Sequence, residues 1–440
     1  MPDRILVLGS GGREHAIVRQ LAAGEPQPEL FIAPGNPGTA LLATSVDLDG
    51  GDPAAIAAWC RDHAIDALLI GPEDPLIAGV ADAVRAVGVP VFGPGADGAR
   101  LEGDKHWSKQ VMEAAGIPTA RYEDFHDLDS SLAALEHWDV PLVVKACGAA
   151  QGKGVAVCST REEAAEFLTA CFADDRFGAA GRHVLIEQCL VGPELSVLAV
   201  TDGETYALLA PSRDHKRVGD GDSGPNTGGM GAFASGSLID PALAELIGRD
   251  VIEPTLRELR RRGVEYRGVL YAGLMLTADG PMVLEYNCRF GDPETQVVLP
   301  LLTGRFADLV LAVARGELAS LLADLPEPPV GAPDPWPGAA LTRWDRSAVV
   351  VVGASEGYPG AYTVGCPIQL PVDEPEAWII HAGTRCDGDE LLTAGGRVLG
   401  SVAVAKDFRD ARRSAYALMD RVRFDGMHLR RDIGAGFKES

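Results

Sequence analysis

The first hundred residues of the chain alternate short apolar runs with stretches of helical periodicity, and this alternation constrains the fold more than any other feature of the sequence. Apolar runs lie at residues 5–8, 30–33 and 67–70, with helical patterns at 13–23 and 54–63 between them. Strands separated by helices of this length pair in parallel. The pattern therefore predicts a parallel sheet whose ligands bind in the loops at the carboxyl ends of its strands.

The loop after the first apolar run is rich in glycine. Residues 9–14 read GSGGRE, so Glu14 stands where the third glycine of a dinucleotide-binding GxGxxG motif would be. A hydride-transfer function loses most of its support at this position. A glycine turn at a helix N-terminus still offers free N–H groups to a phosphate, so the loop indicates either a phosphate site or a tight turn with no ligand.

A second glycine-rich segment, GAAQGKG at residues 148–154, lies between two predicted strands. It is not a Walker loop, which has four residues between its glycines and Ser or Thr after the lysine. Flexible glycines beside Lys153 suit a hairpin tip that closes over phosphates with its N–H groups. Lys145, at the end of the preceding strand, would be costly to bury without an anionic partner. A flexible hairpin without a ligand is the alternative.

The sequence LEYNCRFGDPE at residues 284–294 carries a stronger signal. Side chains two apart in a strand share a face, so we expect Glu285, Asn287 and Arg289 to project together. Oxygen ligands from the first two suit Mg²⁺ held against nucleotide phosphates, and the arginine would neutralise a developing anion. A structural salt bridge is the alternative.

A charged, glycine-dense loop at residues 214–231 is too long for a simple connector and indicates either function or a disordered excursion. Further along, residues 326–337 are rich in proline, which predicts a linker. These features divide the chain into predicted domains at 1–103, 104–325 and 326–440. The first is an α/β domain, the second contains a long helical run at 241–262, and the third is smaller and rich in strands.

Composition excludes several classes of protein. The 440 residues are 46% hydrophobic and 23% charged, as in folded globular chains. Thirty-nine basic against sixty-three acidic residues give a net charge of −24, which makes nucleic acid an unfavourable partner. No apolar run approaches the length that spans a bilayer, and no export signal is visible, so we expect a cytoplasmic protein. The eight cysteines are scattered without a CxxC pair, as for reduced thiols.

Several motifs together resemble the glycinamide ribonucleotide synthetases (phosphoribosylamine–glycine ligases), a family of ATP-grasp carboxylate–amine ligases. The resemblance runs from Val7 to Gly434. Its most specific parts are GGREHA at 11–16, APGN at 33–36, GPE at 71–73, DHKRVGD at 214–220, GPNTGGMG at 224–231 and NCRFGDPETQ at 287–296. It implies a biotin-carboxylase-like parallel-sheet domain, a central ATP-grasp domain with a mobile lid at about 122–188, and a small C-terminal domain.

The resemblance also implies roles for individual residues. The residues expected to contact ATP are Lys105, Lys145, Gly152, Lys153, Glu187, Cys189, Leu190 and Glu194. The residues expected to face the substrates are Gly12, Arg13, Glu73, Asp214, Gly229, Asp292 and Arg397. Glu285 and Asn287 are the expected ligands of Mg²⁺ or Mn²⁺, and Lys216 and Arg289 are the expected catalytic residues.

The implied reaction joins glycine to 5-phosphoribosylamine through glycyl phosphate, giving glycinamide ribonucleotide, ADP and phosphate in purine biosynthesis. A monomer acting on small molecules is expected. Three other functions are weighed against it. The first is an ATP-grasp ligase for another acid, such as formate or bicarbonate. The second is a nucleotide-binding module without catalysis, and the third is a nicotinamide oxidoreductase, which Glu14 disfavours.

Overall fold

The computed structural model describes residues 2–148, 154–174, 176–328, 332–334 and 336–439. Strands β1–β22 and helices α1–α14 are numbered here in chain order within those residues. None of the described helices is long and apolar enough to cross a bilayer.

The N-terminal region forms the predicted parallel sheet, with strand order β3-β2-β1-β4-β5. Its strands are β1 (Arg4–Gly9), β2 (Glu29–Pro34), β3 (Thr44–Ser45), β4 (Ala67–Ile70) and β5 (Val91–Phe92). Its helices are α1 (Gly12–Ala22), α2 (Pro53–Asp62), α3 (Glu73–Ile77), α4 (Val80–Ala86) and α5 (Ala96–Gly103). Because every strand runs the same way, the loops after β1, β2 and β4 meet at one edge of the sheet.

A four-stranded antiparallel sheet follows helix α6 (Lys105–Ala115), with strand order β6-β9-β7-β8. Its elements are β6 (Tyr122–Phe125), α7 (Leu128–Ala134), β7 (Leu142–Ala146), β8 (Val155–Cys158), α8 (Arg161–Phe172) and β9 (Val184–Gln188). Trp138, Leu142 and Leu168 are among the buried side chains of a core that belongs to this layer alone. The predicted hairpin between β7 and β8 is present, and its tip, residues 149–153, lies outside the described residues.

The largest sheet is antiparallel, with order β17-β16-β10-β12-β15-β18-β22-β19, and β11 pairs with β10. Its strands are β10 (Glu194–Thr201), β11 (Tyr206–Leu208), β12 (Ser212–Asp214), β15 (Gly231–Ser235), β16 (Gly268–Thr277), β17 (Gly280–Asn287), β18 (Ser347–Ala354), β19 (Ala377–His381) and β22 (Arg397–Ala405). Two separate hairpins are β13 (Arg217–Gly219) with β14 (Ser223–Asn226) and β20 (Thr384–Asp387) with β21 (Glu390–Thr393).

The helices of this half are α9 (Pro241–Ile247), α10 (Glu253–Arg261), α11 (Thr295–Val298), α12 (Phe306–Arg315), α13 (Leu318–Ala323) and α14 (Phe408–Met419). A π-helical segment at Gly248–Ile252 joins α9 to α10, so the long helical run expected at 241–262 is nearly continuous.

The C-terminal strands extend the central sheet, because β15 pairs with β18 from Gly231↔Val351 to Ser235↔Ser347. The proline-rich segment that precedes β18 packs against the same sheet through Trp336, which is buried and donates its indole N–H to the carbonyl oxygen of Leu208 at 3.0 Å. The predicted boundary at residue 326 therefore falls between two strand groups that share one sheet.

Two histidines connect the N-terminal α1 to the C-terminal β19. The backbone N–H of His381 donates to Nδ1 of His15 at 2.8 Å, and Asn36 donates to the carbonyl oxygens of Ser10 and His381 at 2.9 and 3.0 Å. Burial lowers the pKa of His15 to about 3 and that of His381 to about 4. Both imidazoles are therefore neutral in the folded protein at neutral pH.

This burial predicts a loss of stability in mild acid. Between pH 6.5 and about pH 4, His381 binds a proton in the unfolded chain but not in the folded chain. The free energy of unfolding therefore decreases as the pH is lowered through that window. From pH 7 to 5 each histidine contributes a loss of roughly 2 kcal/mol. In urea unfolding at both pH values, His381→Gln should lose less stability than the wild type by about that amount. The exposed His63→Gln should behave as the wild type, and equal losses in all three proteins would contradict the prediction.

Candidate active site

The loop after β1 is built around the carboxylate of Glu14. Oε2 of Glu14 accepts from the N–H of Gly11 at 2.6 Å, and Oε1 accepts from Nε of Arg13 at 2.6 Å. Gly9 has φ +122°, and a Cβ there would lie 2.5 Å from Cγ of Glu14. Glu14, the residue that breaks the dinucleotide motif, thus fills the loop and fixes Arg13, the arginine that precedes it.

Gly71, after β4, lies against the other side of the same carboxylate. A Cβ at Gly71 would overlap Oε1 of Glu14. We therefore expect Gly71→Ala to lower the free energy of unfolding by roughly 1–3 kcal/mol, the usual cost of overpacking. Urea unfolding measures the change. Gly50→Ala is the matched control, because its Cβ would meet Pro75 at an ordinary 3.6 Å. A loss of the same size in both variants would contradict the assignment to Glu14.

A cavity of about 310 Å³ lies at this edge of the sheet. The carboxyl ends of β1 and β2 and the loops after β1 and β4 contribute to its lining, and Arg13 and Asp292 are its charged side chains besides Glu14. The position agrees with the predicted ligand edge of a parallel sheet, and the volume is at the lower end of small-molecule sites. Of the other predicted substrate residues of this domain, Gly12 packs on Gln296, and Glu73 begins α3.

Four predicted substrate residues from three segments meet beside this cavity. Arg397 donates to a carboxylate oxygen of Asp292 at 2.9 Å and to the carbonyl oxygens of Asp292 and Gly228, both at 2.6 Å. Gly229 has φ +110°, and a Cβ there would lie 2.7 Å from Oδ1 of Asp214. Burial alone would raise the pKa of Asp292, but Arg397 and Arg13 outweigh burial and lower it. The carboxylate is therefore kept ionised.

Arg289 is held by two carboxylates of the N-terminal region. Its Nη2 lies 2.8 Å from Oε1 of Glu102, and its Nε lies 3.3 Å from Oε2 of Glu73. Strand β17 ends at Asn287, so the expectation that Arg289 projects from the same strand as Glu285 is wrong. It follows the strand end instead, where the chain turns toward α3 and α5. Glu102 was not predicted, because only the docking of α5 brings it to the arginine.

Glu285 and Asn287 do share a face of β17, since the intervening Tyr286 is buried on the other side. Nζ of Lys216 lies 3.0 Å from Oε2 of Glu194 and 3.8 Å from Oε1 of Glu285. Burial alone would raise the pKa of Glu285, but lysines led by Lys216 lower it. Two predicted carboxylates and one predicted lysine therefore converge in a cleft between the two antiparallel sheets.

A buried carboxylate with one unused oxygen lies deeper in the cleft. Oε2 of Glu187 is 2.9 Å from Nζ of Lys145 and 3.3 Å from Nζ of Lys109, whereas Oε1 is buried without a hydrogen-bond partner. Lys145 also donates to the carbonyl oxygen of Leu284 at 3.0 Å. An unsatisfied buried oxygen is costly, so this position suits a ligand that donates an N–H.

Lys109 is a site residue that the sequence reasoning missed. Burial lowers its pKa to about 8, although Glu187 opposes the shift. It lies one helical turn after Lys105 on α6, and this i, i+4 spacing was the available signal. Lys105 itself donates to the carbonyl oxygen of Gly148 at 3.4 Å, and burial lowers its pKa.

Two further predicted contacts, Cys189 and Leu190, follow the end of β9, next to Glu187 on that strand. The remaining two predicted contacts in this region, Gly152 and Lys153, lie outside the described residues.

Comparisons with known proteins agree along the whole chain. The profiles of the phosphoribosylglycinamide synthetase N domain, ATP-grasp (A) domain and C domain match residues 3–102, 103–295 and 348–436. A phosphoribosylamine–glycine ligase of Streptomyces coelicolor is 44% identical, covering 98% of this chain and 99% of the relative. One of Agrobacterium fabrum is 43% identical, covering 98% of both chains.

Solved structures give the same result for the fold. The crystal structure of a phosphoribosylamine–glycine ligase from Thermotoga maritima is similar with a TM-score of 0.82 and 35% identity, covering 98% of this chain and 100% of that one. The biotin carboxylase domain of Hydrogenobacter thermophilus 2-oxoglutarate carboxylase has a TM-score of 0.72 at 15% identity, covering 98% and 92%. This second similarity is one of fold alone.

Proposed function

The chain belongs to the phosphoribosylglycinamide synthetase family, and from this premise we propose how its residues catalyse the ATP-dependent ligation of glycine to 5-phosphoribosylamine. The products of the ligation are glycinamide ribonucleotide, ADP and phosphate. One observation carries the proposal. The segment from Glu285 to Asp292 begins in the cleft with the lysines and ends at the cavity of the N-terminal sheet, so it connects the place where the acid would be activated to the place where the amine would bind.

We place the nucleotide between the four-stranded sheet and β17. The unused oxygen of Glu187 accepts the exocyclic amine of adenine, beside Lys145 and the segment Cys189–Leu190. Glu194, half exposed in the cleft, binds the ribose hydroxyls. The cations available for the phosphates are Lys105, Lys145 and Lys216, with Gly152 and Lys153 assigned from the sequence. In this proposal residues 122–188 act as the lid, within domains at 1–103, 104–325 and 326–440.

The donor set of β17 fits a divalent cation. Glu285 supplies a carboxylate that neighbouring lysines keep ionised, and Asn287 supplies an amide oxygen on the same face. Such hard oxygen ligands suit Mg²⁺, or Mn²⁺, shared with nucleotide phosphates. When bound, the cation neutralises phosphate charge.

The substrates react in two displacements. A carboxylate oxygen of glycine attacks the γ-phosphorus of ATP, the bond to the bridging oxygen breaks, and ADP leaves. The amine of phosphoribosylamine then attacks the carbonyl carbon of glycyl phosphate, phosphate leaves with the electron pair, and the nitrogen loses a proton. Lys216 and Arg289 offset the phosphate charge, and alignment of the reactants can supply up to about 7–11 kcal/mol. No side chain is needed as a nucleophile.

Gly12, Arg13, Glu73, Asp214, Gly229, Asp292 and Arg397 are assigned to substrate binding. We place phosphoribosylamine in the cavity lined by Arg13, where the N-terminus of α1 favours its phosphate. The cluster of Arg397, Asp292 and Asp214 faces glycine and the amine. Charged groups of both signs suit an amino acid, which carries both.

The test is ADP release by the purified protein with ATP and Mg²⁺. Glycine is added alone, then phosphoribosylamine generated in place from ribose 5-phosphate and ammonia, then both. Release that requires both, with glycinamide ribonucleotide formed, is the expected result. Release stimulated by formate or bicarbonate instead, or ATP binding without turnover, would reject the substrate assignment.

We further propose that the protein acts as a monomer in the cytoplasm. All eight cysteines lie within the described residues and are free thiols, which agrees with a reducing compartment. Sedimentation of the purified protein tests the oligomeric state.

A further inference from the structure

A cluster of imidazole and carboxylate groups lies outside the residues assigned to ATP and the substrates. It consists of His106 on α6, Asp124 on β6 and His183, which precedes β9. One ligand atom from each residue lies within 4.8 Å of the other two. Within the described part of the chain, this is the one group of three such side chains with that spacing.

The distances approach those of a metal site. Oδ2 of Asp124 lies 3.3 Å from Nε2 of His183 and 3.9 Å from Nδ1 of His106. Tetrahedral ligands with bonds of about 2.0–2.1 Å lie roughly 3.3–3.4 Å apart. The first pair already has this spacing, and the second reaches it by a side-chain movement of roughly half an ångström.

His106 is oriented as a metal ligand usually is. Its Nε2 lies 2.8 Å from the side-chain amide of Gln110, while its Nδ1 is buried without a hydrogen-bond partner. The facing atom of Gln110 is its amide nitrogen, for which the ring Nε2 is the acceptor; rotating the amide by 180° places its oxygen on Nε2–H and leaves the Nδ1 lone pair directed toward Asp124 for a metal ion. A second partner that fixes the tautomer in this way is typical of histidine ligands. In that tautomer a cation between the buried Nδ1 atom and the partly exposed carboxylate of Asp124 would satisfy both acceptors.

A fourth imidazole is available at the surface. Nε2 of His126 lies 3.6 Å from the same Oδ2 of Asp124, its side chain is 68% exposed, and its ring stacks on His183 at 4.1 Å. The fourth coordination position is thus open to water or to this side chain. Imidazole nitrogens favour Zn²⁺, Co²⁺ and Ni²⁺ over Mg²⁺.

We propose that His106, Asp124 and His183 bind one Zn²⁺-like transition-metal ion, which ties α6 to the four-stranded sheet. Asp124 lies on β6, His183 immediately precedes β9 and His106 lies on α6, so the ion would connect the helix to the sheet. Two backbone hydrogen bonds connect this cluster to Lys105 in the cleft. The carbonyl oxygen of His183 accepts from the N–H of Cys147 at 2.9 Å, and the carbonyl oxygen of Cys147 accepts from the N–H of Lys105 at 3.0 Å.

Co²⁺ absorption and Zn²⁺ competition with a chromophoric chelator measure the site. The protein is prepared without a histidine tag and with Cys386→Ser, which removes the exposed thiol. Millimolar Mg²⁺ is present throughout. We expect one equivalent of Co²⁺ with the spectrum of a four- or five-coordinate site, and a micromolar or tighter Kd for Zn²⁺.

Matched variants locate the ligands. Asp124→Asn, His183→Asn and His106→Gln should each weaken binding by roughly 100-fold or more, and Gln110→Leu by about 10- to 100-fold. The helix variant and the sheet variants remove ligands from different elements, so loss in all of them separates ligand removal from a local folding defect. His137→Asn removes an exposed histidine of the same layer and should bind normally. Glu285→Gln should also bind normally, which separates this site from the proposed Mg²⁺ site.

Hydrogen exchange tests the tie between the two elements. Zn²⁺ should slow exchange in β6 and β9 of the wild type but not of His183→Asn. Tight binding that survives in the three ligand variants, or a wild type without one saturable equivalent, would overturn the site. Unchanged exchange on Zn²⁺ binding would overturn the tie.

Discussion

Replacing Glu285 with glutamine is expected to lower kcat of the ligation by roughly 10²-fold or more at saturating Mg²⁺, on the scale of losing one preorganised electrostatic group. Glutamine keeps the shape and an amide oxygen but removes the charge that lysines hold ionised in the cleft. A neutral ligand beside Asn287 leaves the cation with no carboxylate from β17. Steady-state kinetics with both substrates measure the loss.

The binding of ATP in the absence of metal should change little in Glu285→Gln, because Glu187 and Lys145 remain in place. Glu390→Gln is the control, since that residue lies exposed on β21 and its replacement should leave turnover unchanged. Turnover near the wild-type value in Glu285→Gln at saturating Mg²⁺ would remove this residue from the metal site.

Lys216→Met is expected to lower kcat by about 10²- to 10³-fold, because the lysine is the cation that lies between Glu194 and Glu285. Its side chain is about one-third exposed, so the variant should fold. The pH profile gives a second readout. Lys216 helps to lower the pKa of Glu285, so its removal raises that pKa. Glu285 must be ionised to bind a cation, and the acid limb of the activity profile should therefore move to higher pH.

Lys406→Met removes an exposed lysine elsewhere and should alter neither kcat nor the acid limb. A Lys216→Met enzyme with an unshifted acid limb would show that the lysine does not act on Glu285. Retention of more than about a tenth of the wild-type kcat would remove it from the charge-stabilising groups.

The sequence predicted those parts of the molecule that depend on local periodicity. The parallel sheet follows from alternating apolar runs and helices, and the shared face of Glu285 and Asn287 follows from the two-residue repeat of a strand. The same repeat failed for Arg289, because a repeat says nothing about where a strand stops. Two acids from the N-terminal region hold that arginine instead.

Other site residues depend on tertiary docking. Glu102 and Lys109 lie on helices α5 and α6, and the docking of those helices brings their charges to Arg289 and Glu187. Glu14 shows the opposite case. In the sequence it is a missing glycine, whereas in the structure it is the carboxylate that orders the loop after β1. The departure from the GxGxxG motif at Glu14 thus marks a structural carboxylate as well as the absence of a glycine.

The pairing of β15 with β18 has a consequence for synthesis of the chain. About 110 residues separate the end of β15 from the start of β18. At about 5–20 residues per second, the ribosome takes roughly 5–20 s to make that stretch. During this interval Gly231–Ser235, which is fully buried in the finished protein, presents an unpaired strand edge of the kind that pairs with other chains. The nascent protein is thus most open to aggregation after its cleft is made and before its last domain emerges.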